Sequence, residues 1–259
     1  MDAPIVDIDP VAFWQDPYPD LARLRAQAPV ARVPALGGAV LLTKRADIHR
    51  EEKRIDVLSS RQPEGLMTRL MGENLMRRDG EAHLSERRAL FPALSPRTVT
   101  ETWAPLFRER TEAILEALAP RGEADLVRDY AMPVSAEALK LITGLTNMAA
   151  PEMDRVSQGM IDGCSNYAGD PEVEAHCHDC TASIDRHIDA MLPHLRAAPN
   201  LSAISVMDRA GLGRDRISAN TKLIISGGQN EPRDAIAGAA WAVLNHPEVA
   251  ASVLSGSLN

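Results

Sequence analysis

His83 and Arg87 stand four residues apart in RRDGEAHLSERRALFPALSPRTV, residues 77 to 99. On a helix that spacing puts both side chains on one face, where an imidazole and a planar guanidinium can close on a single anion such as a carboxylate. The same face would serve as a solvated charged surface with Glu81 and Glu86 nearby. A second stretch, SGGQNEPRDAIAG at 226 to 238, lies inside an apolar, helix-like run yet holds adjacent glycines at 227 and 228, an amide at Asn230, a carboxylate at Glu231 and a proline at 232. Pro232 has no N–H, so the carbonyl of Gly228 loses its helical partner, and the ring clashes there at a cost of about 3 kcal/mol. The helix is expected to bulge beside Gly228 and leave a carbonyl open. A third pattern is HCHDC at 176 to 180, where His176 and Cys180 are i, i+4 and Cys177 and Cys180 form C-x-x-C. Zinc sites usually need a second ligand cluster, and Cys164 is the only other thiol, so a helix with incidental ligands is the expectation.

These residues need elements to position them. PVARVPALGGAVLLT at 29 to 43 alternates weakly around a Gly-Gly turn and predicts a β-hairpin, the one strand pair in the chain. The pattern beyond it is helical. TETWAPLFRERTEAILEALAP places Trp103, Leu106, Phe107, Ile114, Leu115 and Leu118 at roughly i, i+3, i+4 spacing before Pro120 and Gly122. VSAEALKLITGL stops at Gly144 in the same way. Residues 151 to 163 and 173 to 197 predict two helices separated by SNYAGDP, a turn-forming segment suited to a lid. ISANTKLIISGGQNEPRDAIAGAAWAVLN predicts one long central, buried helix, and NHPEVAASVLSG a short one with an Asn245 or His246 cap, Pro247 in its first turn and Gly256 as its stop. No repeat, linker or low-complexity segment marks a boundary, so a single domain over 1 to 259 is expected.

The chain has 259 residues, 45% hydrophobic and 25% charged, enough for a sizeable core. A formal net charge of −8 argues against nucleic acid or an anionic membrane as partner. The N-terminus has no basic n-region, and no apolar run is long enough to span a bilayer, so a cytoplasmic protein is expected. Three cysteines in such a chain do not make a disulfide framework.

Asp79, His83, Arg87, Arg88, Phe91 and Pro96-Arg97 follow the order of the haem-thiolate monooxygenases, the cytochromes P-450, in which a D-x-x-x-H-x-x-x-R helix binds the haem propionates. DPYPDLARLRAQAPVARV at 16 to 33, VLSSR at 57 to 61, TGL at 143 to 145 and GGQNEPRDAIAGAAWAVLNHPE at 227 to 248 resemble further family segments in the family's order. The resemblance implies a mainly α protein carrying the N-terminal portion of that fold with a small β-hairpin. It implies that His83 and Arg87 hold haem propionates and that Gly227 and Gly228 line the oxygen pocket. Asn230 and Glu231 fall where the family has an acid followed by a threonine. By this resemblance Asn230 orients water and Glu231 acts as the acid. It also implies a small organic substrate and a ferredoxin- or flavin-type electron donor, which would meet the face bearing Arg77, Arg78, Arg88 and Arg97.

By this resemblance, the chain is expected to stop before the fold is complete. The family's E-x-x-R motif and its F-x-x-G-x-x-x-C-x-G loop, whose cysteine thiolate binds iron, follow the central helix, whereas Cys164, Cys177 and Cys180 all precede it. The expectation is a C-terminally truncated, bacterial-type monooxygenase that is inactive alone and leaves apolar helix faces exposed. The alternatives are a non-catalytic helical scaffold that binds a small molecule or partner, and a metal-binding module centred on HCHDC.

Overall fold

The computed structural model describes residues 2–257. Its contacts divide into two compact units, residues 1–60 and 61–259.

The first unit holds the hairpin. Asp9 caps helix α1 (Pro10–Gln15), its Oδ1 accepting from the Val11 and Ala12 amides, and α2 (Tyr18–Gln27) follows. Strand β1 (Val30–Val33) pairs antiparallel with β2 (Ala39–Leu42) in the register Val30↔Leu42 to Val33↔Ala39. The turn between them uses Gly37 and Gly38 at φ 68° and 74°, which is why two glycines stand there. Ile8, Phe13 and Val33 form a small core with Leu21, Leu36 and Leu41, and α3 (Arg45–Glu51) completes the unit.

The second unit is helical: α4 (Leu66–Met71), α5 (Gly80–Leu94), α6 (Pro96–Thr98), α7 (Ala104–Leu118), α8 (Met132–Thr143), α9 (Ala150–Cys164), α10 (Pro171–Ala197), α11 (Ala203–Arg209), α12 (Arg214–Ser226), α13 (Asn230–Asn245) and α14 (Pro247–Leu254). The stop signals act as expected. Gly122, Gly144 and Gly256 sit beyond the ends of α7, α8 and α14 at positive φ, the conformation that ends a helix at little cost when no Cβ is present. The N-terminal position of α14 belongs to His246, which makes no side-chain capping bond.

The predicted central helix is two helices. α12 is rich in buried residues, among them Ile217, Ala219, Asn220, Thr221 and Ile225, but α13 has none. On α13, Trp241 is 61% exposed and Leu244 79% exposed. The longest helix is instead α10, whose apolar stripe of Cys177, Cys180, Ile184, Ile188, Leu192 and Leu195 repeats at three and four residues and is buried. It lies against α9 at very close range. A Cβ on Gly159 would stand 2.4 Å from Cys180 Sγ, and one on Gly163 2.5 Å from Cys177 Sγ. The thiols of HCHDC therefore serve as small packing groups. His176 Nε2 is 3.6 Å from Cys180 Sγ, and among the described residues no group of three or more His, Cys, Asp or Glu side chains is placed to hold a metal ion.

Candidate functional site

The helix break at residues 227–229 is flanked by a glycine and a proline, and two serines from other helices donate to its carbonyls. Gly227 ends α12, and Pro232 falls in the first turn of α13, where the backbone N–H groups have no helical partners and proline is tolerated. Ser135 of α8 donates its hydroxyl to Gln229 O at 2.7 Å and to Gly228 O at 3.4 Å. Ser157 of α9 donates to Ile225 O at 3.1 Å. The opening predicted from Pro232 is thus present, but the Gly228 carbonyl is turned toward a serine from another helix and is not left bare. Both serines are small polar residues on the buried faces of amphipathic helices, the one signal by which they could have been found in the sequence.

Gly228 is required by packing. A Cβ there would meet Ile224 O at 2.6 Å and Leu139 Cδ1 at 3.0 Å, whereas at Gly227 the nearest contact would be an ordinary 3.6 Å. Both glycines line a cavity of about 470 Å³ with Leu94, Phe107, Leu223, Ile224, Pro232 and Ile236. The size is that of a small-molecule site, and the walls are almost wholly apolar.

Asn230 and Glu231 do not line this cavity. Asn230 Nδ2 donates to Gln158 Oε1 at 3.2 Å, and its Oδ1 is buried without a donor. Glu231 is exposed on the first turn of α13. Gln229, fully buried beside them, donates to Asp154 Oδ1 at 3.1 Å, an oxygen that also accepts from Arg233 at 3.1 Å; Gln229 Oε1 is likewise without a donor. Nothing in the sequence marks this amide, because glutamine beside asparagine carries no pattern of its own.

On α5, Arg87 is exposed and lines a cavity of about 250 Å³ with Leu75, Leu90, Phe91 and Leu94. His83 is half-buried, and its Nδ1 is 2.8 Å from Leu75 O. A carbonyl only accepts, so Nδ1 carries the hydrogen. His83 lines neither cavity, but Leu75, on which its ring rests, lines the Arg87 cavity. Leu94 lines both cavities and joins the cationic side of the site to the glycine-lined break. The remaining arginines are engaged elsewhere: Arg88 pairs with Glu81, Arg97 with Glu101 at 2.8 Å, and Arg78 with Glu73 and Glu86. Arg77 Nε is buried without a partner.

No family model matches this chain. It is 23% identical over 266 residues to the cytochrome P-450 monooxygenase PikC of Streptomyces venezuelae, covering 96% of this chain and 62% of PikC. To the vitamin D(3) 25-hydroxylase of Pseudonocardia autotrophica it is 23% identical over 262 residues, covering 91% of this chain and 60% of that enzyme. Among solved structures, Mycobacterium marinum cytochrome P-450 CYP268A2, in complex with pseudoionone, superposes with a TM-score of 0.75 at 18% identity, over 98% of this chain and 67% of that one. CYP109E1 of Bacillus megaterium, in complex with testosterone, gives 0.72 at 15% identity, over 93% and 64%. The fold is the N-terminal portion of the cytochrome P-450 fold with its small β-hairpin. The chain is a relative of bacterial cytochromes P-450 and spans about 60% of the length of the curated relatives it matches.

That relationship implies haem as the cofactor. The residues present fit such a group. An apolar cavity with a glycine-open edge suits the face of a macrocycle, and Arg87 with the Nδ1-anchored His83 suits its carboxylates. Neither cavity is lined by a cysteine. Cys177 and Cys180 are buried between α9 and α10, and burial, with the neighbouring thiols, pushes Cys177 up to about 12. Such a thiol stays protonated at neutral pH and is a poor metal ligand.

Proposed function

We propose that the face running from Arg87 and His83 on α5, across Leu94, to Gly227 and Gly228 is the haem-facing half of a monooxygenase site for a small organic substrate. The single observation that carries this reading is that Leu94 walls both the arginine-lined and the glycine-lined cavity. Arg87 holds a haem carboxylate through its planar fork, and His83 does so through Nε2. Gly227 leaves room for a ligand against the backbone. When bound, haem supplies the oxygen-activating chemistry of this class.

The chain's own groups handle protons and water. Glu231, exposed on the first turn of α13, exchanges protons with solvent at its carboxyl. Asn230, whose buried Oδ1 has no donor, accepts an O–H from water and orients it toward the break. An electron donor of ferredoxin or flavin type completes the system, and both units act as parts of one cytoplasmic domain. None of the three cysteines lines the two cavities, so residues 1–259 alone do not supply the thiolate and do not turn over substrate.

The test is a carbon monoxide difference spectrum of the purified chain loaded with haem and reduced. The expected spectrum lacks the thiolate-type band. A thiolate-type band from this chain alone would mean that Cys164, Cys177 or Cys180 reaches the iron, and the assignment of the haem face would be wrong.

A further inference from the structure

We infer that Asn220 of α12 is a positioning residue that sets the proton arrangement of His83 by fixing the backbone of Leu75; the inference rests on the reading of His83 as a carboxylate holder. Asn220 is 1% exposed, and both ends of its amide are used. Its Oδ1 accepts from Leu75 N at 2.8 Å, and its Nδ2 donates to Glu86 Oε2 at 2.8 Å. Reversing the amide would set oxygen against carboxylate and N–H against N–H, so its orientation is unambiguous. Glu86, buried on α5, is held in turn by Arg216 and by Arg78, the latter at 3.2 Å.

Leu75 is therefore gripped from both sides. Its N–H points to Asn220 and its C=O receives the His83 Nδ1–H at 2.8 Å. The consequence for His83 is chemical. With Nδ1–H committed to a carbonyl, the neutral ring presents only a lone pair at Nε2, and the ring offers Nε2–H only as the imidazolium. His83 meets a carboxylate as a cation with one defined donor. A histidine released from Leu75 would instead favour the Nε2–H tautomer that dominates in water, and would hold a carboxylate as a freely turning neutral donor. The chain Glu86, Asn220, Leu75, His83 thus converts a buried ion-pair cluster into the orientation of one ring, in the way outer partners fix histidines at metal sites.

The tautomer is directly measurable. Long-range proton–nitrogen correlation spectra of histidine-labelled protein distinguish Nδ1–H from Nε2–H, and the His83 signal is the one lost in His83→Gln. The wild type is expected to show Nδ1–H in alkaline buffer. Asn220→Leu, which keeps the volume and removes the grip, should move the population to a majority of Nε2–H. If Asn220→Leu does not fold, Asn220→Ser, too short to span the gap, replaces it. An Nε2–H tautomer in the wild type, or an unchanged Nδ1–H in the leucine and serine variants, would overturn the inference. Haem titration of the same proteins separates the two claims. A change of tautomer with haem affinity about tenfold weaker supports both; a change of tautomer with unchanged affinity supports the positioning and overturns carboxylate holding by His83.

Discussion

Ser135 donates to the carbonyl of Gln229 at 2.7 Å, so the central helix is held open by a residue 94 positions earlier in the chain. The bond is buried, and it brings a hydroxyl to the carbonyls of the break, where Pro232 supplies no N–H. Removing it leaves buried oxygen short of a donor. Ser135→Ala is expected to cost about 1–2 kcal/mol in denaturant unfolding and to speed amide exchange at 227–230.

Pro232→Ala restores an N–H four residues after Gly228. If the proline keeps the helix open, this variant should close the turn, with Gly228 O leaving Ser135 for the new backbone N–H at position 232, and amide exchange across 228–232 should slow. Unchanged exchange would assign the break to the glycines and Ser135 alone.

The two glycines of the break are expected to separate by effect. Gly228→Ala drives a methyl onto Ile224 O and Leu139 and should destabilise by about 1–3 kcal/mol, whereas Gly227→Ala meets nothing closer than 3.6 Å and should leave stability nearly unchanged. The same contrast applies away from the site. Gly163→Ala collides with Cys177, while Gly238, in mid-helix with open space around it, should accept alanine with a gain of roughly 0.5–1 kcal/mol. Thermal unfolding of the four variants checks the order.

Much of this was legible because it depends on local backbone preference. The Gly37–Gly38 turn, the Gly122, Gly144 and Gly256 stops and the breaker run at 227–232 announce themselves through residues that only certain conformations tolerate. What was not legible depends on pairs distant in sequence. Nothing in VSAEAL marks Ser135 as the partner of residue 229, and nothing in RVSQ marks Ser157 as the partner of Ile225. The expected burial of the whole central helix fails at α13 for a related reason. Apolar composition in Trp241 and Leu244 says that a face prefers cover, not that the described residues provide it.

Acid should loosen the contact between α9 and α10. The Glu152 carboxyl is held down to about 2 by hydrogen bonds from Arg155 first, against the cost of burial, with Ser183 of α10 adding a bond at 2.6 Å. Its folded value lies below the ordinary carboxylate value, so its stabilisation is fully present above about pH 4.5 and is lost as pH falls toward about 2. Glu152→Gln should flatten the acid limb of the stability curve in that window. The neutral-pH loss should be ~1 kcal/mol, modest because the carboxylate is 27% exposed and screened.

Haem titration of the purified chain, followed by its Soret absorbance, tests the central claim most directly. The account predicts one saturable equivalent for the wild type, affinity weakened about tenfold or more by Arg87→Ala, ~1.4 kcal/mol, and binding obstructed by Gly227→Leu. Absence of saturable binding, or equal affinity in all three proteins, would contradict it.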